Sequence, residues 1–163
     1  MKNSLKKYLS WIPPFLIAPA IFIFSSQPAD ESTSTSNGVI HILIEFAGKL
    51  NILDLKHADP DALYKILQTP IRKGAHITEF AVLNLSLIYA LSSWNIKGMK
   101  LIRTAFLLTV LYACTDEFHQ IFVPGRAGLI QDVLIDSIGP MIILGSYILY
   151  QLLKKRTIFF EKY

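Results

Sequence analysis

The stretch DEFHQIFVPGRAGLIQDVLIDSIG, Asp116 to Gly139, decides how this chain folds. It sets Asp116, Glu117, His119, Arg126, Asp132 and Asp136 between two strongly apolar runs. At its centre, VPGRAG has the composition of a turn, and Gly125 and Gly128 give the backbone freedom to reverse. Upstream lies the apolar run Leu101 to Thr115, and downstream Leu129 to Leu153. The stretch therefore reads as a helix end, a turn and a re-entering helix, with ionisable groups carried into apolar segments from both sides.

Composition shows which solvent those segments meet. Of the 163 residues, 52% are hydrophobic and only 17% charged, with mean hydropathy +0.42. Soluble domains carry nearer a quarter charged residues. The apolar excess is gathered into long runs, the pattern of a bilayer protein. A crossing helix needs about 20 mainly apolar residues. Four segments qualify: Tyr8 to Ser26, Gly74 to Trp94, Leu101 to Thr115 (short, with Arg103 at its aqueous end), and Leu129 to Leu153. Lys2, Lys6 and Lys7 before Trp11 to Phe24 resemble a signal peptide, but FSSQPADE offers no small-x-small cleavage site. An uncleaved helix, bent by Pro13, Pro14 and Pro19, is expected there. The sequence thus predicts an all-α membrane protein, one domain over residues 1–163, built as a four-helix transmembrane bundle with short external amphipathic helices. Cys114 is the one cysteine, which excludes an intramolecular disulfide and a thiolate metal site. The net charge of +4 comes without a basic stripe interleaved with aromatics, so the expected partner is the lipid bilayer and not nucleic acid.

Lys and Arg positions set the orientation. With the N-terminus inside, Lys2, Lys6, Lys7, Lys97, Lys100, Arg103, Lys154, Lys155, Arg156 and Lys162 are cytoplasmic. Lys49, Lys56, Lys65, Arg72, Lys73 and Arg126 fall outside, completing the 16 basic residues. Both termini are then cytoplasmic. The outer segment, residues 27–71, opens with a polar linker, SSQPADESTSTSNG, expected to carry little structure. From Val39 to Leu50, His41, Glu45 and Lys49 share one face while Ile40, Leu43, Ile44, Ala47 and Leu50 form the other, as in an interfacial helix. A second short helix follows, capped by Asp59 with Pro60 in its first position and stopped at Thr69-Pro70. His41 and His57 read as solvated. Trp11, Trp94, Tyr147 and Tyr150 suit inner interfacial anchors, and Asn84 a helix-to-helix hydrogen bond.

The second span begins PIRKGAHITEFAVLN, where Arg72, His76, Glu79 and Leu83 form one helical stripe. Asp132 and Asp136 lie four apart at similar depth in the fourth span. At the end of the third, Asp116, His119 and Gln120 share a face with Glu117 turned aside. Each charge at mid-membrane costs roughly 2.5–3.5 kcal/mol, so these groups must face one another or a water-filled cavity. Arg72, Lys73 and Arg126 are the natural partners of Glu79, Asp116, Asp132 and Asp136, with Arg126 folding back over them from the turn. An outward-facing polar pocket is the result.

RKGAHITEF, DEFHQIFVPGRAGLIQDVLIDSIG and FSSQP resemble the VanZ-like family over nearly the whole chain from Phe24 to about Leu144. The resemblance implies a multi-span protein of the bacterial cytoplasmic membrane, in some members linked to reduced susceptibility to teicoplanin-like lipoglycopeptides. Lys73, His76, Glu79, Asp116, Glu117, Gln120, Arg126, Asp132 and Gly139 match the family motifs. Asp136 departs from them, standing where asparagine is commoner.

Three uses of such a pocket stay open. As a binding site, Arg72, Lys73, Glu117, His119, Gln120, Arg126, Asp132 and Asp136 would grip an anionic, lipid-linked or lipoglycopeptide ligand. As an enzyme, His76, Glu79 and Asp116 would perform acid–base chemistry on a lipid-linked envelope substrate, without an obvious nucleophile. As a structural network, the charges would lock the helices together. No cofactor is called for, and no metal: His76-x-x-Glu79 is a weak motif, although His76, Glu79, Asp116, Glu117 and His119 include donors zinc accepts.

Overall fold

The computed structural model describes residues 2–50 and 59–160, so His57 and Lys56 of the outer segment and Lys162 of the basic tail lie outside the described residues. Seven helices follow in order: α1 (Lys2–Leu9), α2 (Ile12–Ser25), α3 (Ala29–Lys49), α4 (Pro60–Ser93), α5 (Gly98–Gln120), α6 (Ile130–Asp136) and α7 (Ile138–Phe160). There is no strand among the described residues. Three helical stretches, Leu5–Ser25, Pro60–Ser93 and Gly98–Gln120, are long and apolar enough to cross a membrane. The bent pair Ile130–Asp136 and Ile138–Lys154, joined at 44°, makes a fourth if counted as one span. The outward surface suits lipid: Leu107, Leu111, Phe118, Phe122, Ile130 and Ile142 are large, apolar and exposed.

α4 is the axis of the fold and packs against every other helix. Asp59 caps it as its sequence predicts, its Oδ1 accepting from the backbone N–H of Asp61 at 3.0 Å and of Ala62 at 3.4 Å. The expected stop at Thr69-Pro70 does not occur, and 34 residues run as one helix. Proline removes only one i to i−4 hydrogen bond, and α2 likewise runs through Pro19. α4 packs against both α3 and α2, and neighbouring helices of this kind let a membrane helix continue through a proline. Beyond it, Phe80, Leu83, Leu87 and Leu91 meet Ile21 of α2 and Ala105 and Ala113 of α5 in the core.

The polar linker is also corrected. SSQPADESTSTSNG enters α3 at Ala29 instead of staying irregular. Pro28 starts the helix, and Asp30 and Glu31 occupy the first turn, where the helix dipole favours acids. The hydroxyls of Thr35 and Ser36 donate to the carbonyls of Glu31 and Ser32, at 3.2 and 2.9 Å, and so need no other partner. Ser32, Ser36 and Ile40 then form a narrow buried stripe, and Gln68 Nε2 of α4 donates to Asn37 Oδ1 beside it at 3.3 Å. Farther along, His41 is exposed and Glu45 pairs with Lys49 at 2.9 Å, a contact that holds the Glu45 carboxyl below its usual range.

Asn84 makes the expected interhelical bond, its Nδ2 donating to Thr109 Oγ1 of α5 at 3.0 Å. At the same end as the N-terminus, Trp94 Nε1 donates to the Lys7 carbonyl, and its ring meets Tyr8 edge-on at 5.8 Å. Two glycines set the closest approaches around the opposite end. A Cβ on Gly139 would lie 2.6 Å from the Ile77 carbonyl oxygen and 2.7 Å from Ala81 Cβ, so the start of α7 rests directly on α4. A Cβ on Gly128 would lie 2.2 Å from the Glu117 carbonyl oxygen, so the turn before α6 lies flat on α5.

Candidate functional site

The third span runs past its expected limit at Thr115 to Gln120, and this carries Asp116, Glu117 and Gln120 into the protein on one helical face. Here the expected roles of two neighbours are exchanged. Glu117 is buried beside Asp116, whereas His119 turns toward α2, stacking on Phe22 at 4.1 Å with Nε2 3.0 Å from Ser26 Oγ. The reason is angular: residues 113, 116, 117 and 120 make one stripe on a 3.6-residue helix, and His119 falls at its edge.

Gln120 is the hub of that stripe. Its Nε2 donates to Asp116 Oδ2 at 3.1 Å and to Glu117 Oε1 at 3.2 Å, while its Oε1 accepts from Arg126 Nη1 at 3.4 Å. Glu117 Oε2 accepts the Leu129 backbone N–H at 3.0 Å, tying α5 to the start of α6. Gly125 takes φ +73°, a conformation open to glycine, and the turn returns Arg126 over the α5 face as the sequence predicts. Arg126 Nε donates to the Gln27 carbonyl at 2.9 Å. Burial, and next the positive charge of Arg72, press this guanidinium below its ordinary value, opposed by Asp116 and Glu117.

From α4, Arg72, Lys73 and His76 face the same space, and Asp132 and Asp136 enter from α6. Together with Glu117, Gln120 and Arg126 they line a polar cavity of about 180 Å³. One of the expected ion pairs forms, whereas Glu79 has a histidine beside it in place of a Lys or Arg. Lys73 Nζ holds Asp132 Oδ1 at 2.9 Å, and His76 Nδ1 lies 3.7 Å from Glu79 Oε2. Among the described residues, no Lys or Arg nitrogen pairs with Asp116, Glu117 or Asp136, and neither Arg72 nor Arg126 pairs with a carboxylate. Cationic and anionic groups therefore share one cavity while two guanidiniums keep donors free.

Glu79 faces a different space. It lines an apolar groove between α2, α3 and α4, about 580 Å³ in volume, with Ile17, Phe24, Val39, Ile71 and Val82. A smaller hollow of about 230 Å³ shares residues with both, lined by Phe24, Val39, Ile71 and Glu79 of the groove and by Arg72, His76 and Arg126 of the cavity.

Residues 11–153 match the profile of the VanZ/LLP1 family. The chain belongs to the VanZ/LLP1 family. No curated protein and no solved structure matches it. The VanZ/LLP1 match takes in the cavity, the groove and all the charged residues just described. It also takes in a set that reasoning from residue chemistry passed over: FSSQP was part of the resemblance but carried no role. Ser25 Oγ donates to Asp116 Oδ2 at 2.8 Å, Ser26 meets His119, and the Gln27 carbonyl receives Arg126. The end of α2 thus clamps three residues of the candidate site. Two adjacent serines before a proline at the end of an apolar run were the available signal, and serines are too common there to be singled out by type.

Proposed function

We propose that this VanZ-family membrane protein binds the anionic head of a lipid-linked envelope molecule, and that through this binding it lowers susceptibility to teicoplanin-like antibiotics. In this reading the chain forms a four-span bundle in the bacterial cytoplasmic membrane, with both termini cytoplasmic and the cavity facing outward. The observation that carries the proposal is that polar cavity and apolar groove lie side by side, with Arg72, His76 and Glu79 lining the hollow that shares residues with both. An amphiphile needs such a pair of surfaces: a place for charge, and beside it an apolar slot reached from the lipid. The free donors of Arg72 and Arg126 suit a phosphate or carboxylate, since guanidinium forks bind such oxygens in pairs.

The test is binding of a short-chain polyprenyl phosphate to the purified protein in nanodiscs, beside inorganic phosphate and the uncharged polyprenol. Saturable binding of the lipid phosphate, weakened at least about tenfold by Arg126→Ala or Arg72→Ala, is the expected result. Equal binding of the uncharged alcohol would overturn it. In cells, the same variants at undiminished membrane abundance should restore teicoplanin susceptibility, and unchanged susceptibility would break the link to the antibiotic.

A second reading is favoured by the 3.7 Å approach of His76 Nδ1 to Glu79 Oε2 beside Asp116, a set able to move protons. A membrane enzyme acting on the same lipid would convert it, so a product appearing in the binding assay, and lost in His76→Ala, would replace the binding reading.

A further inference from the structure

Four buried side-chain atoms among the described residues lack a hydrogen-bond partner: His76 Nδ1, Asn84 Oδ1, Asp116 Oδ1 and Asp136 Oδ2. Three of these residues come together. His76, Asp116 and Asp136 each offer a donor atom, and the three atoms lie within 4.8 Å of one another. Asp116 is 1% exposed and Asp136 3%, and no cationic side chain reaches either. Two carboxylates so deeply withdrawn from water, each with an oxygen left without a partner and grouped with one imidazole, are costly unless something positive stands between them.

We propose that His76, Asp116 and Asp136 hold one divalent transition-metal ion of the zinc or manganese class. Metal–oxygen and metal–nitrogen bonds of about 2.0–2.3 Å put any two ligands of one ion within roughly 4–5 Å of each other, which this trio satisfies. One imidazole with two carboxylates is a mixed nitrogen and oxygen set, suited to zinc or manganese and poor for calcium, which takes six to eight oxygens. The carboxylate of Asp116 is also oriented as a ligand should be. Ser25 Oγ and Gln120 Nε2 both hold its Oδ2, at 2.8 and 3.1 Å, and leave Oδ1 free. Ser25 is therefore a positioning residue for the site. His76 and Asp136 line the polar cavity together with Arg72 and Arg126, so an ion held there would share that cavity with both guanidiniums. An anion entering there meets one metal ion and two guanidiniums. The cation site itself does not rest on the lipid-binding reading, because it is measured with no anion present.

The experiment uses the full chain in nanodiscs, stripped with a chelator, then dialysed against Zn²⁺ or Mn²⁺ and assayed by elemental mass spectrometry and Mn²⁺ spin resonance. Wild type and the surface control Glu45→Gln should each bind one ion per chain, and the bound ion should raise the melting temperature of the wild type. Asp116→Asn and Asp136→Asn should lose the ion. Ser25→Ala should keep the stoichiometry with affinity lowered about 10–100-fold, the usual cost of removing a group that orients a ligand. The wild-type melting shift needs no variant, so a substitution that fails to fold leaves the test intact. A stripped, folded wild type that binds neither ion overturns the proposal, as does undiminished binding in Asp136→Asn, and a proton shared by the two acids then takes the ion's place.

Discussion

At the residue scale, buried polar groups in this protein divide by whether a partner exists. Asn84 Nδ2 donates to Thr109, which in turn donates to the Ala105 carbonyl at 2.9 Å, so this chain of bonds ends on α5's own backbone and only Asn84 Oδ1 is left without a partner. Such a bond between membrane helices is worth about 0.6 kcal/mol, because the separated helices also find partners in lipid. A double-mutant cycle of Asn84→Ala and Thr109→Val, followed by reversible unfolding in mixed micelles, is expected to give a coupling of about that size; a value above about 2 kcal/mol would mean that the pair anchors the bundle. Asn84 was legible from the sequence because a lone amide in an apolar span has few alternatives. Glu117 was not: its burial depends on α5 continuing to Gln120, and the apolar run stops at Thr115. The charged residues themselves were all visible, since charge in an apolar segment is conspicuous. Which of them pair, as Lys73 does with Asp132, depends on α6 lying against α4, and no spacing within one helix reports that.

At the element scale, one proline and two glycines show why helix limits were harder to read than helix existence. Pro70 reads as a stop in water, where a freed carbonyl is readily hydrated and the chain gains by turning. In this chain Pro70 borders the apolar groove and sits inside a 34-residue helix that runs on to Ser93. Pro70→Ala is accordingly expected to keep the fold and leave stability unchanged or raised by up to about 3 kcal/mol, because alanine restores the bond to the Ile66 carbonyl. A loss of folded protein would show that the proline shapes the groove. Gly139 sets the opposite constraint. Alanine there must push α7 off the backbone of α4 at Ile77, one residue from His76. Overpacking of this kind costs about 1–3 kcal/mol, and Gly139→Ala should lower the melting temperature accordingly. It should also separate Asp136 from His76, so that Mn²⁺ affinity falls along with stability. Gly128→Ala should disturb the Leu129 bond to Glu117 in the same manner, since its Cβ would overlap the Glu117 carbonyl. Unchanged melting curves for both alanine variants would mean that the close contacts are loose.

At the scale of the whole molecule, α4 organises the site because it packs against every other helix, and it carries Arg72, His76 and Glu79 to where α2, α5 and α6 converge. The all-helical, membrane-type fold was legible because each long run is separately apolar. Helix α3 was not, because a run of serines and threonines reads as solvated until it is seen packed on α4 with its hydroxyls bonded to its own carbonyls. The distribution of Lys and Arg now makes a claim that involves the whole chain. If the positive-inside pattern governs insertion, α3 lies outside and the loop between α4 and α5 lies in the cytoplasm. Ser34 of α3 and Lys100 near the start of α5 are both exposed, and Cys114 is the single native thiol. In a Cys114→Ser background, Ser34→Cys is expected to react with a membrane-impermeant maleimide on intact cells, and Lys100→Cys only after permeabilisation. The reverse pattern would turn the cavity toward the cytoplasm. The ligand would then have to come from the inner leaflet, so this labelling decides which lipid pool the polar cavity and its apolar groove can reach.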